Sequence, residues 1–327
     1  MTKSYVLASL KQSYDYVSGE KISKELHISR SAVNKAVKAL RRDGYVILSS
    51  TRKGYLLTGD FNMLNKGELL ALLGSSYSSR ITYLDTVDST NAYIQRNFHN
   101  LSNGAIVIAN EQTNGKGRLG REFVSHKDKG LYLSMLFGTN LPAENTANIT
   151  AFTAVSVARA INDALGIIPS IKWVNDLIVN EKKISGILTE MSVEGESKNV
   201  RYIIIGIGIN CNQEASDFLG DIKDRASSLF IESGKRVNRA SLASKIITAL
   251  DKMAEDFPKN KAEYLSFYRE NCITLGREVR VIRASDELIG TAEELDDNFG
   301  LVVRLFDGKL INVTSGEVSI RGIDGYL

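Results

Sequence analysis

Cysteine and histidine are scarce in this chain of 327 residues, and their scarcity excludes several kinds of site. The two cysteines, Cys211 and Cys272, lie far apart and outside any CxxC spacing, which excludes a disulfide scaffold and a cysteine-rich zinc site. The three histidines, His27, His99 and His126, are scattered in the same way. We therefore expect neither a histidine-based metal cluster nor a Ser-His-Asp triad.

Long apolar runs are lacking as well. The longest run of apolar residues and glycine covers residues 202–209, which is far short of the roughly 20 residues that a membrane-spanning helix needs. The apolar stretch at the N-terminus ends after a few residues, so no signal peptide is evident. A composition of 43% hydrophobic and 24% charged residues is typical of globular proteins. We expect a cytoplasmic protein of two or three domains that has no membrane partner.

Positive charge is concentrated in the N-terminal region. Residues 1–59 contain 11 Lys and Arg against 4 Asp and Glu, a net charge of +7, whereas the remaining residues contain 30 against 34 and are mildly acidic. A small basic module attached to an acidic body predicts a nucleic-acid-binding domain followed by a region with another function.

The basic region has the pattern of three short helices, at residues 4–14, 20–26 and 30–42, followed by a hairpin. The third helix has one apolar stripe and an opposite face that can reach bases and phosphates in a major groove. This order predicts a winged helix-turn-helix domain over residues 1–65, with a protein-interaction module as the alternative. The candidate DNA-binding residues are Ser31, Asn34, Lys35, Lys38, Arg42, Arg52 and Lys53.

Strand-like runs dominate the central region, residues 66–272, after a linker that we place within residues 58–80. Two helices interrupt them, at residues 89–97 and 145–165. Because crossover helices are few, this pattern favours an antiparallel or mixed α+β sheet over a doubly wound one. The predicted strands are residues 81–84, 105–110, 131–137, 171–180, 184–191 and 200–209.

Two polar clusters in the central region are candidate ligand sites. Residues 88–91 (DSTN) follow a strand and open a helix, where they can serve as a helix cap or contact a polar ligand. Residues 111–121 (EQTNGKGRLGR) contain the GxGxxG pattern, but no apolar helix follows and the Walker pattern is absent. This glycine-rich loop offers backbone N–H donors and three cations to phosphates. The alternative is a mobile basic surface loop.

Two further clusters lie in predicted strands. Lysine lies in an otherwise apolar environment in both segments, residues 172–176 (KWVND) and 182–190 (KKISGILTE). Partial removal from water strengthens the electrostatic effect of such a lysine on a neighbouring group. Taken alone, these two segments are better explained as a turn at Asn175 and Asp176 and a solvated hairpin tip at Lys182 and Lys183. Residues 203–210 (IIIGIGIN) form a buried strand whose two glycines allow a flat group or another backbone to approach closely.

In this order and spacing, the four clusters resemble those of the biotin protein ligases. The resemblance covers essentially the whole chain, and with a winged helix in front it points to the bifunctional subclass, in which the ligase is also the repressor of biotin operons. Two positions depart from the family pattern: Lys116 stands where arginine is usual, and Val174 where proline is usual. The first change keeps the charge but loses a bidentate fork.

The resemblance implies an activity with two substrates. Biotin and ATP, with Mg²⁺, would give biotinyl-5′-AMP, from which biotin is transferred to a lysine of a biotin carboxyl carrier protein or domain. It also implies binding to operator DNA, which we expect to be palindromic and to be read by a homodimer that forms when ligand is bound. The alternatives are a lipoate- or octanoate-type protein ligase, and a non-enzymatic ligand-responsive repressor.

The resemblance also assigns residues. Lys183 and Arg118 would be catalytic, next to the biotin carboxylate and the forming mixed anhydride. The implied biotin-binding set is Ser89, Thr90, Asn91, Gln112, Gly115, Lys116, Gly117, Arg118 and Lys183. The adenylate and phosphate candidates are Arg121, Asn175, Asp176 and Asn210. No metal would be fixed by the protein itself, and Mg²⁺ would arrive with ATP near Asp176.

The C-terminal region, residues 273–327, alternates apolar and polar residues between turns, in the manner of a small SH3-like β-barrel. The predicted strands are residues 278–282, 290–295, 300–305 and 311–321. The complete prediction is an α+β protein with an N-terminal winged helix-turn-helix, a central mixed-sheet ligase domain and a C-terminal SH3-like barrel.

Overall fold

The fold is described here from a computed structural model. It describes residues 2–59, 62–139, 146, 148–193, 200–282, 287–314 and 319–322. The chain divides into two compact units: Met1–Tyr83 with Asn238–Ser244, and Leu84–Val237 with Lys245–Leu327. Within the described residues, no helix combines the length and the apolar character that crossing a membrane requires.

The first unit contains three helices and a hairpin in the predicted order, although the first helix ends at Lys11 rather than at residue 14. Ser18 and Ser29 cap the second and third helices, because their side chains accept hydrogen bonds from the backbone N–H groups of Lys21 and Ala32. The predicted apolar stripe of the third helix is buried in the core of this unit. The elements are α1 (Thr2–Lys11), α2 (Gly19–Glu25), α3 (Arg30–Arg42), β1 (Val46–Ser50), β2 (Gly54–Thr58) and α4 (Lys66–Leu73).

A buried polar network holds α4 in the first unit. Glu68 on α4 is 2% exposed, and its carboxylate lies 2.5 Å from Lys11 Nζ on α1. The same carboxylate accepts a 2.7 Å hydrogen bond from the Tyr45 hydroxyl. Burial, with the Glu68 charge in support, raises the pKa of Tyr45. Thus α4, which lies beyond the predicted boundary at residue 65, packs on α1.

The second unit is built around a seven-stranded sheet of order β3-β4-β5-β9-β8-β7-β6. Its described pairings from β4 onwards are antiparallel, which confirms the predicted α+β class. The strands are β3 (Ile81–Val87), β4 (Ile106–Gln112), β5 (Leu131–Phe137), β6 (Ser170–Lys172), β7 (Asp176–Val179), β8 (Lys182–Val193) and β9 (Val200–Ile209). The further helices are α5 (Thr90–Asn97), α6 (Ile149–Leu165), α7 (Leu229–Ser233), α8 (Arg239–Asp256) and α9 (Lys261–Asn271).

One predicted strand was wrong: residues 171–180 form two short strands rather than one. β6 and β7 pair with each other, with Lys172 opposite Asp176, so the chain reverses between them. The reversal is held by Asn175, whose amide donates to the Ile187 carbonyl over 2.9 Å. The pattern of apolar residues could not show this turn, because the hydrogen bond that holds it joins Asn175 to Ile187 on β8, which is distant in the sequence. The hairpin predicted at residues 180–183 is present, with left-handed backbone at Asn180 and Glu181.

The C-terminal strands pair in the order β13-β12-β11-β10-β14, all antiparallel. They are β10 (Glu278–Ile282), β11 (Glu287–Leu295), β12 (Leu301–Leu305), β13 (Leu310–Val313) and β14 (Ser319–Gly322). Among the described residues no pairing joins β13 to β14, so this is a five-stranded sheet without barrel closure. The predicted strand at residues 311–321 was also wrong, because its two ends belong to different strands, β13 and β14, which pair with β12 and β10 at opposite edges of the sheet. Residues 315–318 of that prediction, and residues 145 and 147 of the predicted central helix, lie outside the described residues.

Candidate functional site

A cleft of about 470 Å³, open to solvent, lies against the middle of the seven-stranded sheet. All four predicted clusters contribute to it, although they are far apart in the sequence. Its lining comprises Ser89, Thr90, Asn91, Gln112, Lys116, Gly117, Arg118, Phe123, Asn175, Lys183, Gly186, Ile187, Leu188, Gly206, Ile207 and Gly208. A concave site with a few convergent polar groups is the usual form of a small-molecule site.

The glycines of β9 form the floor of the cleft. A Cβ atom on Gly206 would lie 2.3 Å from Asn91 Oδ1, and one on Gly208 would lie 2.6 Å from the Phe123 ring. Both distances are far inside van der Waals contact, so these positions require glycine. The prediction that something flat approaches this strand therefore has a concrete form: the Asn91 amide and the Phe123 ring occupy that space.

A chain of hydrogen bonds fixes the polar end of the cleft. Thr90, at the start of α5, donates to Gln112 Oε1 from its backbone N–H (2.8 Å) and its hydroxyl (3.1 Å). The Gln112 amide then donates to Ser125 Oγ over 2.9 Å. Ser89, the N-cap of α5, accepts from the Ala92 N–H and so also has the capping role that was the alternative. The side-chain orientations at this end are therefore set in advance.

Two residues on other strands complete this network: Ser134, which lies outside the motifs, and Glu190, the last residue of the motif at residues 182–190. Ser134 Oγ, fully buried on β5, lies 2.6 Å from Thr90 Oγ1 and 2.5 Å from Asn91 Oδ1. Asn91 in turn donates to the Glu190 carboxylate on β8 over 2.6 Å. The sequence signal for Ser134 was one hydroxyl within the apolar run of β5, but its partners lie on other elements.

Two cations define the opposite end of the cleft. Lys183 Nζ forms a 2.7 Å ion pair with Asp176 Oδ1, and Arg118 donates to Asn175 Oδ1 over 3.1 Å. Burial lowers the pKa of Arg118, and the nearby Asp176 carboxylate opposes that shift. Cations that are partly removed from water act strongly on a nearby anion. The predicted catalytic pair thus lies together: Asp176, the first residue of β7, holds Lys183, and Asn175, in the turn before it, holds Arg118.

The remaining predicted residues are placed differently. Gly115 is buried, and a Cβ there would lie 2.3 Å from the Phe123 carbonyl oxygen. Arg121 is exposed and outside the cleft lining, while its carbonyl accepts from the Gly117 N–H over 2.7 Å and closes the loop on itself. Asn210 is also outside the lining: its amide donates to the Ser227 carbonyl over 3.0 Å. We find no cluster of three or more His, Cys, Asp or Glu for a metal among the described residues.

The seven predicted DNA-binding residues are all exposed on the first unit. The hairpin is fixed to α3 by Arg41, which donates to the Ile47 carbonyl at 2.9 Å from Nε and to Ser49 Oγ at 2.6 Å from Nη2. Asn34 on α3 donates to the Tyr55 hydroxyl on β2 over 3.1 Å. The basic helix and the hairpin tip are therefore presented as one surface.

These features define a class: a helix-turn-helix protein that also carries a small-molecule cleft, with a preorganised polar end and a cationic end. Residues 83–210 match the model of the biotin/lipoate A/B protein ligase family, residues 2–56 match an HTH domain, and residues 274–321 match the biotin protein ligase C terminal domain.

Relatives give the same assignment. The chain is 34% identical to the bifunctional ligase/repressor BirA of Bacillus subtilis, over 90% of this chain and 91% of that protein. It is 28% identical to BirA of Escherichia coli, over 97% of both. The structure is similar to the biotin protein ligase from Aquifex aeolicus in complex with biotin and ATP, with a TM-score of 0.65 and 32% identity over 74% of this chain and 99% of that one. The chain belongs to the biotin protein ligase family, and the predicted resemblance to its bifunctional members is confirmed.

Proposed function

We propose that this protein is an ATP-dependent biotin protein ligase and a biotin-responsive transcriptional repressor. The observation that carries the ligase activity is the cleft itself, in which Lys183 and Arg118 face a hydrogen-bonded set of Thr90, Asn91 and Gln112 across the glycines of β9. The reaction joins the biotin carboxylate to the α-phosphate of ATP, releases pyrophosphate, and then transfers biotin to a lysine of a carrier domain.

The cationic end suits the first step. The biotin carboxylate attacks the α-phosphorus, the bond to the β-phosphate oxygen breaks, and pyrophosphate leaves. Since both reactants are anions, cations fixed at the reacting atoms lower the barrier. Lys183 and Arg118 supply that charge, and Lys116 adds a third cation on the cleft lining. In the second step, the acceptor amine attacks the carbonyl carbon and AMP leaves.

The polar end suits the biotin head group. The ureido ring presents two N–H donors and one carbonyl acceptor, and a buried site must satisfy all three. Thr90, Asn91, Ser89 and Gln112 can do so because their own network holds them in one orientation. A dithiolane or an alkyl tail would leave these groups without partners, which costs binding free energy. This argues against the lipoate- or octanoate-type alternative.

The nucleotide brings the metal as part of the substrate. Mg²⁺ would enter bound to the phosphates of ATP, and Asp176 is the carboxylate next to the cationic end. Its Oδ1 is engaged with Lys183 at 2.7 Å, so this side chain orients the lysine as well. The glycine-rich loop would close over the phosphates and keep water from the acyl-adenylate, which otherwise hydrolyses. Arg121 stays a proposed contact of the adenylate because it belongs to this loop, and Asn210 stays one because the family resemblance places it on the adenylate side.

The first unit supplies the repressor activity. One winged helix makes few phosphate contacts, so specific binding at physiological salt calls for two copies on a palindromic operator. We therefore propose a homodimer that forms when biotinyl-5′-AMP occupies the cleft. By reciprocity, dimerisation must tighten adenylate binding by the same factor.

The proposed domains are residues 1–65, 66–272 and 273–327, the last an SH3-like barrel. Five consecutive antiparallel strands support the barrel. Trp173 supports its place beside the cleft: it precedes the turn that holds Asn175, and its indole N–H donates to the Phe299 carbonyl over 2.8 Å. A reaction that consumes ATP is consistent with a cytoplasmic location.

The test is biotin-dependent exchange of labelled pyrophosphate into ATP, with lipoate and octanoate as control substrates. We expect pyrophosphate exchange in the presence of biotin and none in the presence of lipoate or octanoate. Exchange with lipoate or octanoate instead would favour the alternative ligase. Tight biotin binding without any exchange would leave only the ligand-responsive repressor.

A further inference from the structure

The segment between β9 and α7, residues 213–228, is a surface loop whose two ends are bonded together. Ser228 Oγ donates to the Gln213 carbonyl over 2.7 Å. Residues 219–225 are exposed, whereas Phe218, Ser227 and Ser228 are buried. A loop with closed ends and an exposed middle moves as a unit unless it is anchored.

The first anchor is an ion pair near the start of the loop. Lys129 Nζ lies 2.6 and 2.5 Å from the two carboxylate oxygens of Asp217. The Asp217 side chain is 14% exposed, and its pKa is lowered by the Lys129 hydrogen bond and the Glu214 N–H against the opposing effect of burial. Lys129 belongs to the turn that follows the glycine-rich loop, and its carbonyl accepts from the Asn212 N–H over 2.8 Å.

The second anchor is at the far end of the loop and involves Lys183. The Lys183 N–H donates to the Arg225 carbonyl over 2.8 Å, and the Lys183 carbonyl accepts from the Ser227 N–H over 2.9 Å. Asn210 fixes Ser227 from the other side. Both main-chain groups of Lys183 therefore bond to the loop, although Lys183 is opposite Ile178 in the β7–β8 register.

From these contacts we infer that Lys129 and Asp217 are positioning residues for the adenylation step. Their ion pair fixes a loop whose other end holds the backbone of Lys183, and through it the position of Nζ next to Asp176. The same ion pair also connects the turn that follows the glycine-rich loop, through Lys129, to the loop at residues 213–228. This inference rests on the proposed function only for its effect on rate, because the mechanical link itself can be measured without activity.

Two neighbouring ion pairs provide matched controls. Lys127 pairs with Asp85 at 2.8 Å and lies two residues from Lys129, but both partners are exposed, at 47% and 65%. Arg236 pairs at 2.8 Å with Glu214, which belongs to the loop at residues 213–228, and these two side chains are also exposed, at 60% and 49%. Exposed pairs contribute little, so their loss should leave the loop in place.

The experiment compares full-length Lys129→Met, Lys129→Arg and Asp217→Asn with the controls Lys127→Met and Arg236→Met and with the wild type. Hydrogen–deuterium exchange is followed in peptides that cover Lys183 and residues 218–227, and pyrophosphate exchange gives kcat and the KM for biotin. In Lys129→Met and Asp217→Asn we expect several-fold faster exchange at the Lys183 amide. We also expect kcat to fall on the order of tenfold, because small displacements of a reacting group are costly. The KM for biotin should stay within about twofold, since the polar end of the cleft is untouched.

The conservative and control variants decide between positioning and a general structural role. Lys129→Arg should restore both readouts, and Lys127→Met should match the wild type. Equal deuterium uptake at Lys183 in Lys129→Met and Lys127→Met would overturn the inference, whatever the activity. If the uptake changes as expected but no variant, the wild type included, exchanges pyrophosphate, the loop anchor stands and the proposed function fails. If Lys129→Met does not fold, Asp217→Asn removes the same ion pair through its other partner, and deuterium uptake at Lys183 is measured in that variant.

Discussion

The two cationic surfaces of this molecule are built in opposite ways. On α3, Lys35 and Lys38 are exposed, and no ion pair within the described residues involves them. In the cleft, Lys183 is paired with Asp176 at the start of β7 and Arg118 is bonded to Asn175 in the turn before it, and the Lys183 side chain is only 27% exposed. One surface presents its charges to water, whereas the other holds its charges at fixed points.

This difference predicts how each surface responds to substitution. Exposed cations bind a polyanion by releasing its counterions, so each lysine adds a modest and nearly independent increment. Partly desolvated cations act over short distances on one charge that develops in the reaction. Loss of one cleft cation should therefore cost far more than loss of one α3 lysine.

The largest effect is expected for Lys183→Ala. Removal of a fixed positive charge from the reacting groups should slow biotin-dependent pyrophosphate exchange by about 10²–10³-fold, the size of a lost charge-stabilising donor. The neighbouring Lys182, which is exposed, provides the matched control Lys182→Ala. A wild-type rate in Lys183→Ala, with normal thermal unfolding, would contradict the assigned role.

A smaller effect, on retention rather than on formation, is expected for Arg118→Gly. The variant loses a cation of the cleft and an anchor of the glycine-rich loop at Asn175, so that biotinyl-5′-AMP should escape about 10–100-fold faster. The measurable sign is biotinylation of bystander lysines on added albumin, with Lys127→Gly as the control. If albumin stays unlabelled and adenylate dissociates at the wild-type rate, this loop does not retain the intermediate.

The α3 surface should respond more weakly and additively. In the proposed homodimer, Lys35→Ala with Lys38→Ala removes four lysines from the operator interface, so the slope of log affinity against log salt should fall by about four and operator binding should weaken by at least about tenfold. The control removes the same charge from two exposed lysines elsewhere, through Lys259→Ala and Lys309→Ala. An unchanged slope in the α3 variant would mean that this face does not contact phosphates.

The same contrast explains what the sequence could reveal. The α3 face follows from a local period, because burial of Val33 and Val37 forces Asn34 and Lys35 outwards. The cleft residues were found as motifs, but motifs do not show which strands meet. Ser134 and Glu190 join the network only because β5 and β8 flank β9 in the sheet. The placement of Asn210 outside the cleft lining depends on the same long-range pairing.

A pair that belongs to the cleft unit but resembles the α3 surface sharpens the comparison. Asp88 accepts two hydrogen bonds from Arg96, at 2.6 and 2.8 Å, and both side chains are exposed, at 41% and 55%. The Arg96 hydrogen bond lowers the pKa of Asp88 from 3.8 to about 2. If exposure decides the energetic value of a charge, this pair should matter little even though it adjoins the DSTN motif.

The smallest effect is therefore expected for Asp88→Asn. Because the folded-state pKa lies below the unfolded value, the stabilisation is complete above pH 3.8 and is lost as the pH falls through about 2. Solvent screening keeps it below about 1 kcal/mol at pH 7. Urea unfolding of the wild type and Asp88→Asn at pH 7 and pH 3 measures this, with Arg96→Met in the Asp88→Asn background as the control that should add nothing. An exposed pair with a lowered carboxylate pKa can only lose its contribution to stability as the carboxylate is protonated. If Asp88→Asn lowered the free energy of unfolding by several kcal/mol, or if its difference from the wild type grew on acidification, position in the cleft unit would outweigh exposure.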